Sequence, residues 1–101
     1  MIKWKELKNR IPHLVTFKRK SYEICWIDTF KDPHVMGETR FNPRQIVIKN
    51  NLSDKETCLT YLHEVLHAVS HECGAELTET QVRVLEGMLT DVLKKGNIFK
   101  E

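Results

Sequence analysis

Cysteine is scarce in this chain. Cys25, Cys58 and Cys73 are the only three, and no pair has the C-x-x-C spacing. An odd, dispersed set argues against a disulfide framework and against a thiolate-bound zinc ribbon. It predicts reduced thiols of a cytoplasmic protein, with Cys58 and Cys73 as small helix-facing residues. Glycine and proline are also few, with 4 and 3 in 101 residues, and there are no repeats or low-complexity tracts. Collagen-like, linker-rich and disordered classes are thereby set aside. No apolar run approaches the roughly 20 residues that a membrane-spanning helix needs. The opening "MIKWKELKNRIP" lacks the apolar centre of a secretory signal, so the expected location is the cytoplasm. What these absences leave is one domain, residues 1–101, large enough for a single core but with little stability to spare.

Charge of one sign is missing overall but not locally. The net charge is +2. Residues 1–50 carry 11 Lys and Arg against 5 Asp and Glu, whereas residues 51–101 carry 5 against 9. A basic half draws acidic partners or nucleic acid. Here the basic residues are scattered, and the one tight cluster, Lys18-Arg19-Lys20, reads as a hairpin turn. Nucleic acid is therefore a secondary candidate beside a solvated surface.

Two periodicities divide the chain. Trp4, Leu7 and Ile11 suit a short helix stopped by Pro12. "HLVTF" and "YEICWI" flank "KRKS", which predicts a β-hairpin over residues 13–28 with Tyr22, Ile24 and Trp26 on one side. "DTFKDPHVMGETRFNPRQ" is broken by Asp32-Pro33, Gly37 and Asn42-Pro43, so mostly loop is expected. "QIVIKN", residues 45–50, is apolar and β-branched, and so a strand. After it the pattern turns helical. Ser53 with Glu56 forms an S-x-x-E capping box, opening a helix that runs to about Cys73 and stops at Gly74. Leu59, Leu62, Leu66 and Val69 make its apolar stripe. Thr78 with Gln81 opens a second helix, through Val82, Leu85, Leu89, Val92 and Leu93 to about Lys95, with Gly96 as its cap. The expected architecture is α+β, a small sheet (a hairpin plus an edge strand) packed on two helices.

The first of those helices carries "TYLHEVLHAVSHECGAELTE", and within it His63, Glu64 and His67 in the order H-E-x-x-H. Residues four apart share a helix face, so both imidazoles can reach one metal ion at about 2.0–2.1 Å. Glu64 then stands beside the ion, where it can accept a proton from metal-activated water and pass it to a leaving amine. The bland alternative is a pair of histidines lining a helix–helix groove.

A catalytic zinc takes three protein ligands, so a third is needed. His71 lies eight residues beyond His63, about 12 Å along the same helix, and suits the helix C-terminus as an exposed polar residue. Three carboxylates remain. Glu76 falls in the connection after Gly74, Glu79 opens the second helix, and Glu86 lies deeper along it. An antiparallel pair joined by a short loop brings the start of the second helix near the end of the first, which favours Glu79. Glu86, Glu76 and His71 stay open as alternatives.

The stretch "IVIKNNLSDKETCLTYLHEVLHAVSHECGAELTETQVRVLEGML" resembles short phage and mobile-element proteins related to the ImmA/IrrE-type and SprT-like zinc metallopeptidases. They share a strand, an H-E-x-x-H helix and a helix opening near L-[ST]-E-x-Q-V. The resemblance covers residues 35–95 and implies a minimal zincin-like fold. It also implies Zn2+ held by His63, His67 and Glu79, with Glu64 as general base. Eleven residues separate His67 from Glu79, fewer than in the larger ImmA/IrrE enzymes. In such peptidases the strand before the motif helix forms the cleft rim, and a substrate peptide adds to it as an extra strand. "QIVIKN" would be that strand, unless it is a fully paired central one. Tyr61, Tyr22 and His34 are of types that stabilise an oxyanion, and no motif selects among them. Two readings follow. One is a zinc-dependent metallopeptidase acting on a protein or peptide; the other is a zinc-stabilised protein-interaction module, for example a phage-encoded inhibitor of a host factor, that cuts nothing.

Overall fold

The computed structural model describes residues 1–95. Its elements, in order, are α1 (Trp4–Asn9), β1 (Leu14–Phe17), β2 (Lys20–Ile27), β3 (Gly37–Phe41), β4 (Arg44–Lys49), α2 (Asp54–Cys73) and α3 (Glu79–Lys95). The α+β architecture is as expected from the pattern; Gly96, the expected cap of α3, lies outside the described residues.

The four strands form one mixed sheet in the order β1-β2-β4-β3. β1 and β2 are an antiparallel hairpin whose turn is Lys18-Arg19, between the paired residues Phe17 and Lys20. Both turn residues have positive φ, 47° and 62°, the left-handed pair that matches the right-handed twist of the strands. β2 runs parallel to β4, and β3 returns antiparallel on the other side of β4.

Two expectations need correction here. β4 is no edge strand, since it is paired on both sides. Its consecutive Ile46, Val47 and Ile48 are all buried, which fits a strand covered on both faces. The edge belongs to β3, inside the segment expected to be loop. Its sequence, "GETRF", is not apolar, because one side faces a carboxylate of α2 and the other faces solvent with Glu38 and Arg40. Asn42-Pro43, which looks like loop punctuation, is the two-residue turn between the paired Phe41 and Arg44.

α2 lies across one face of the sheet. Tyr22, Ile24, Ile46, Ile48 and Ala68 form the central cluster, with Tyr61, Val65, Ile11, Val15, Phe17 and Leu52 packed around it. Trp26, expected on the same side as Tyr22 and Ile24, is 41% exposed. The buried line of α2 is Thr57, Cys58, Thr60, Glu64 and Ala68, not the leucine stripe, which is only half-buried. Thr57, Thr60 and Ala68 are small enough to let the helix lie close to the sheet, Leu59 lines a cleft beside α3, and Leu62 lines a cavity between α1 and α3.

α2 is closed at both ends. The Ser53 hydroxyl accepts from Glu56 N–H at 3.1 Å and donates to its carboxylate at 2.9 Å. Gly74 ends it in the left-handed region, at φ 68°, where a side chain would be strained. α3 then runs back along α2. Its N-terminus is a reciprocal capping box in which Thr78 N–H donates to Gln81 Oε1 at 2.9 Å and Gln81 N–H donates to Thr78 Oγ1 at 3.1 Å.

Candidate metal centre

Helix spacing puts His63 and His67 on one face of α2, and a five-residue connection brings α3 up against that face. Ser70, which sequence reasoning passed over, organises this connection. Its hydroxyl donates to the Ala75 carbonyl and accepts from Leu77 N–H. Folded tightly this way, the loop delivers Glu79 to the two histidines.

The convergence is close. His63 Nε2 and His67 Nε2 are 3.1 Å apart. Glu79 Oε1 lies 2.8 Å from His67 Nε2, and Glu79 Oε2 lies 3.3 Å from His63 Nε2. Four ligands at about 2.0–2.1 Å around a tetrahedral zinc are separated by about 3.3–3.4 Å. The two Nε2 atoms, 3.1 Å apart, stand close to that separation, and each has one of the two Glu79 oxygens within 3.3 Å. Two imidazoles and a carboxylate are also a donor set that suits zinc. Among the described residues, His63, His67 and Glu79 are the group that could hold a metal ion.

Glu86, weighed as an alternative third ligand, takes a different place. Its carboxylate is 3.4 Å from His63 Nδ1, the ring nitrogen opposite the cluster. An Nδ1–H shared with that carboxylate leaves the Nε2 lone pair free for a metal and fixes the ring's orientation. Glu76 is exposed in the connection. His71 stacks on Phe41 with ring centroids 3.9 Å apart, and belongs to the end of β3 rather than to the cluster.

Glu64 follows His63 directly, on the buried side of α2, with 7% of its surface exposed. Thr39 of β3 holds it: the hydroxyl donates to Glu64 Oε1 at 2.8 Å and lies 3.0 Å from the Glu64 carbonyl oxygen. Burial pushes the Glu64 carboxyl above the usual range, against the opposing pull of the Thr39 hydrogen bond and of His63 and His67. Gly37 allows β3 to come this close. A Cβ there would stand 2.5 Å from Thr60 Cγ2 and 3.1 Å from Glu64 Cγ, so any side chain would force the strand away.

Two concavities flank the cluster. One, of about 620 Å³, is lined by Val35, Met36, Leu59, Glu64, Arg83 and others. The second, of about 340 Å³, runs along Gly37, Glu38, Thr39 and Phe41 past His63, Glu64 and His67. None of the three oxyanion candidates lines either. Tyr22 is wholly buried in the core. Tyr61 faces a separate apolar cavity between α1, α2 and α3. His34 is exposed in the turn after Asp32, its N–H donating to the Asp32 carboxylate. Arg83, one helical turn after Glu79, does line the larger cleft, and that i,i+4 spacing was the available signal.

No helix among the described residues is long and apolar enough to cross a membrane. Set against family models, curated proteins and solved structures, the chain matches none of them.

Proposed function

We propose that this chain is a zinc-dependent metallopeptidase that hydrolyses a peptide bond of a protein or peptide. The observation that carries the reading is the meeting of His63, His67 and Glu79 beside a buried carboxylate, Glu64, on an open cleft. In this reading the arrangement is zincin-like, with the metal ligands on two helices and the base held between the ligands and the sheet. Zinc, when bound, supplies Lewis acidity, lowering the pKa of water to about 7 and polarising the substrate carbonyl.

The chain's own residues do the rest. Glu86 keeps His63 turned with Nε2 toward the ligand cluster. Glu64 accepts the proton of the attacking water and returns it to the leaving amine. Thr39 steadies the carboxylate through both. β3 takes the part expected of β4. Its outer side is unpaired among the described residues, and it passes over Glu64, so a substrate strand pairing there would carry its scissile bond past the base.

A second reading has its own observation. Val84 and Met88 on α3 are 59% and 66% exposed, as an interaction module that keeps zinc only to staple its fold would allow. Glu64→Gln separates the two. As a peptidase, the variant retains zinc and loses about a hundredfold or more in hydrolysis of an unfolded protein such as casein. A wild-type protein that binds one zinc and cleaves neither casein nor a broad peptide library overturns the peptidase reading in favour of the module.

A further inference from the structure

The cleft is acidic and apolar apart from one cation. Glu56, Glu64, Glu79, Glu86 and Arg83 line it together with Val35, Met36 and Leu59. Each carboxylate is already engaged. Glu56 accepts from Ser53, Glu64 from Thr39, Glu79 meets both histidines and Glu86 meets His63. Arg83 has neither an ion pair nor a side-chain hydrogen bond among the described residues, although an arginine among so many carboxylates ordinarily finds one.

Its place on α3 is specific. Arg83 follows Glu79 by four residues, so their Cβ atoms are neighbours on one helix face at about 5–6 Å. A guanidinium is always charged and offers planar, forked donors that fit an oxygen anion. Attack of water on a carbonyl moves a pair of electrons onto the carbonyl oxygen, and that oxyanion needs a partner. With Tyr22, Tyr61 and His34 placed elsewhere, no other side chain on the cleft answers. Thr60, which also lines it, turns its methyl toward Gly37.

Resting on the metallopeptidase reading above, we propose that Arg83 is a catalytic residue whose guanidinium meets the oxyanion formed on the scissile carbonyl. The fork takes the part for which Tyr22, Tyr61 and His34 were the candidates by residue type. Losing one donor of this kind costs about 10²–10³ in kcat and leaves KM nearly unchanged.

The test does not need the substrate. Protein is loaded with one equivalent of zinc, and two small probes are titrated by calorimetry. Methylphosphonate is a tetrahedral oxyanion; acetohydroxamate binds zinc without presenting one. Arg83→Met is expected to lower methylphosphonate affinity about ten- to a hundredfold and to leave acetohydroxamate affinity unchanged, with Arg83→Lys restoring part of the loss. Lys95→Met, which removes the same charge from α3 away from the cleft, is expected to change neither. Equal methylphosphonate affinity in wild type and Arg83→Met overturns the assignment. So does loss of both probes together, because Arg83 would then support the ligand cluster itself. Failure of the wild type to take up zinc, seen before any probe is added, refutes the metal reading and this role with it.

Discussion

The two long helices contribute to one site under unequal conditions. α2 is capped at both ends, lies on the sheet through Thr57, Thr60, Glu64 and Ala68, and carries His63, Glu64 and His67. On α3 only Val82 and Thr90 are buried, while Val84, Leu85, Met88 and Leu89 remain exposed. It carries Glu79, whose side chain is 61% exposed, together with Glu86 and Arg83. The sheet therefore orders His63, His67 and Glu64 of the candidate centre in advance. Glu79, the third member of the candidate centre, arrives on a helix with few buried side chains of its own, and a metal shared between the two would be the strongest bond α3 has to the rest of the domain.

The largest effects should come from breaking that bond. Glu79→Ala and His67→Ala are each expected to reduce zinc affinity by more than about a hundredfold, as even outer-shell losses cost tenfold to a hundredfold. Competitive titration against a chelating dye measures this. Retention of wild-type affinity in Glu79→Ala would move the third ligand off α3 and end the comparison. Next in size is an attack on the well-held helix. Ala68 is fully buried, and Ala68→Leu should cost about 1–3 kcal/mol through overpacking. Thermal unfolding would show this as a fall of several degrees in Tm.

Much of this was legible in the sequence, and for identifiable reasons. Capping boxes are local chemistry, so Ser53 with Glu56 and Thr78 with Gln81 placed both helix starts correctly, and the short connection made Glu79 the favoured partner of the histidines. β3 was hidden because it buries no apolar face. Gly37 and Thr39 are there to approach and hold Glu64, and neither leaves a hydrophobic pattern. β4 looked like an edge strand because its second neighbour was the one not seen. The buried line of α2 was misplaced onto its leucines, since close helix–sheet approach selects small residues that carry little weight in a hydropathy pattern. Glu86 could be placed beside His63 only once the packing of α3 on α2 was known, whereas Arg83 had a signal in its i,i+4 spacing from Glu79.

A smaller, directional effect sharpens the contrast at the far end of α2. Arg44 on β4 donates to Glu72 at 3.2 Å, tying the last turn of α2 to the sheet. Burial alone would raise the Glu72 carboxyl, but Arg44's hydrogen bond and charge outweigh it and hold the group below its usual range. A carboxyl depressed in the folded state contributes fully above its unfolded value, about 4.3, and that contribution fades as the pH falls through the lower folded value. Tm measured against pH should therefore fall less steeply below about pH 4 in Arg44→Gln than in wild type. The smallest change is expected on the open side of α3. Met88→Gln should shift stability by no more than about 0.5 kcal/mol. A larger loss would mean that this face is covered in solution.

Amide hydrogen exchange, followed along α2 and α3 with zinc present and with zinc removed by chelator, tests most directly whether one metal joins the two helices. If it does, zinc slows exchange across residues 79–95 by at least about tenfold and changes the sheet-facing part of α2 far less. Exchange in α3 that is the same with and without zinc would contradict the shared centre.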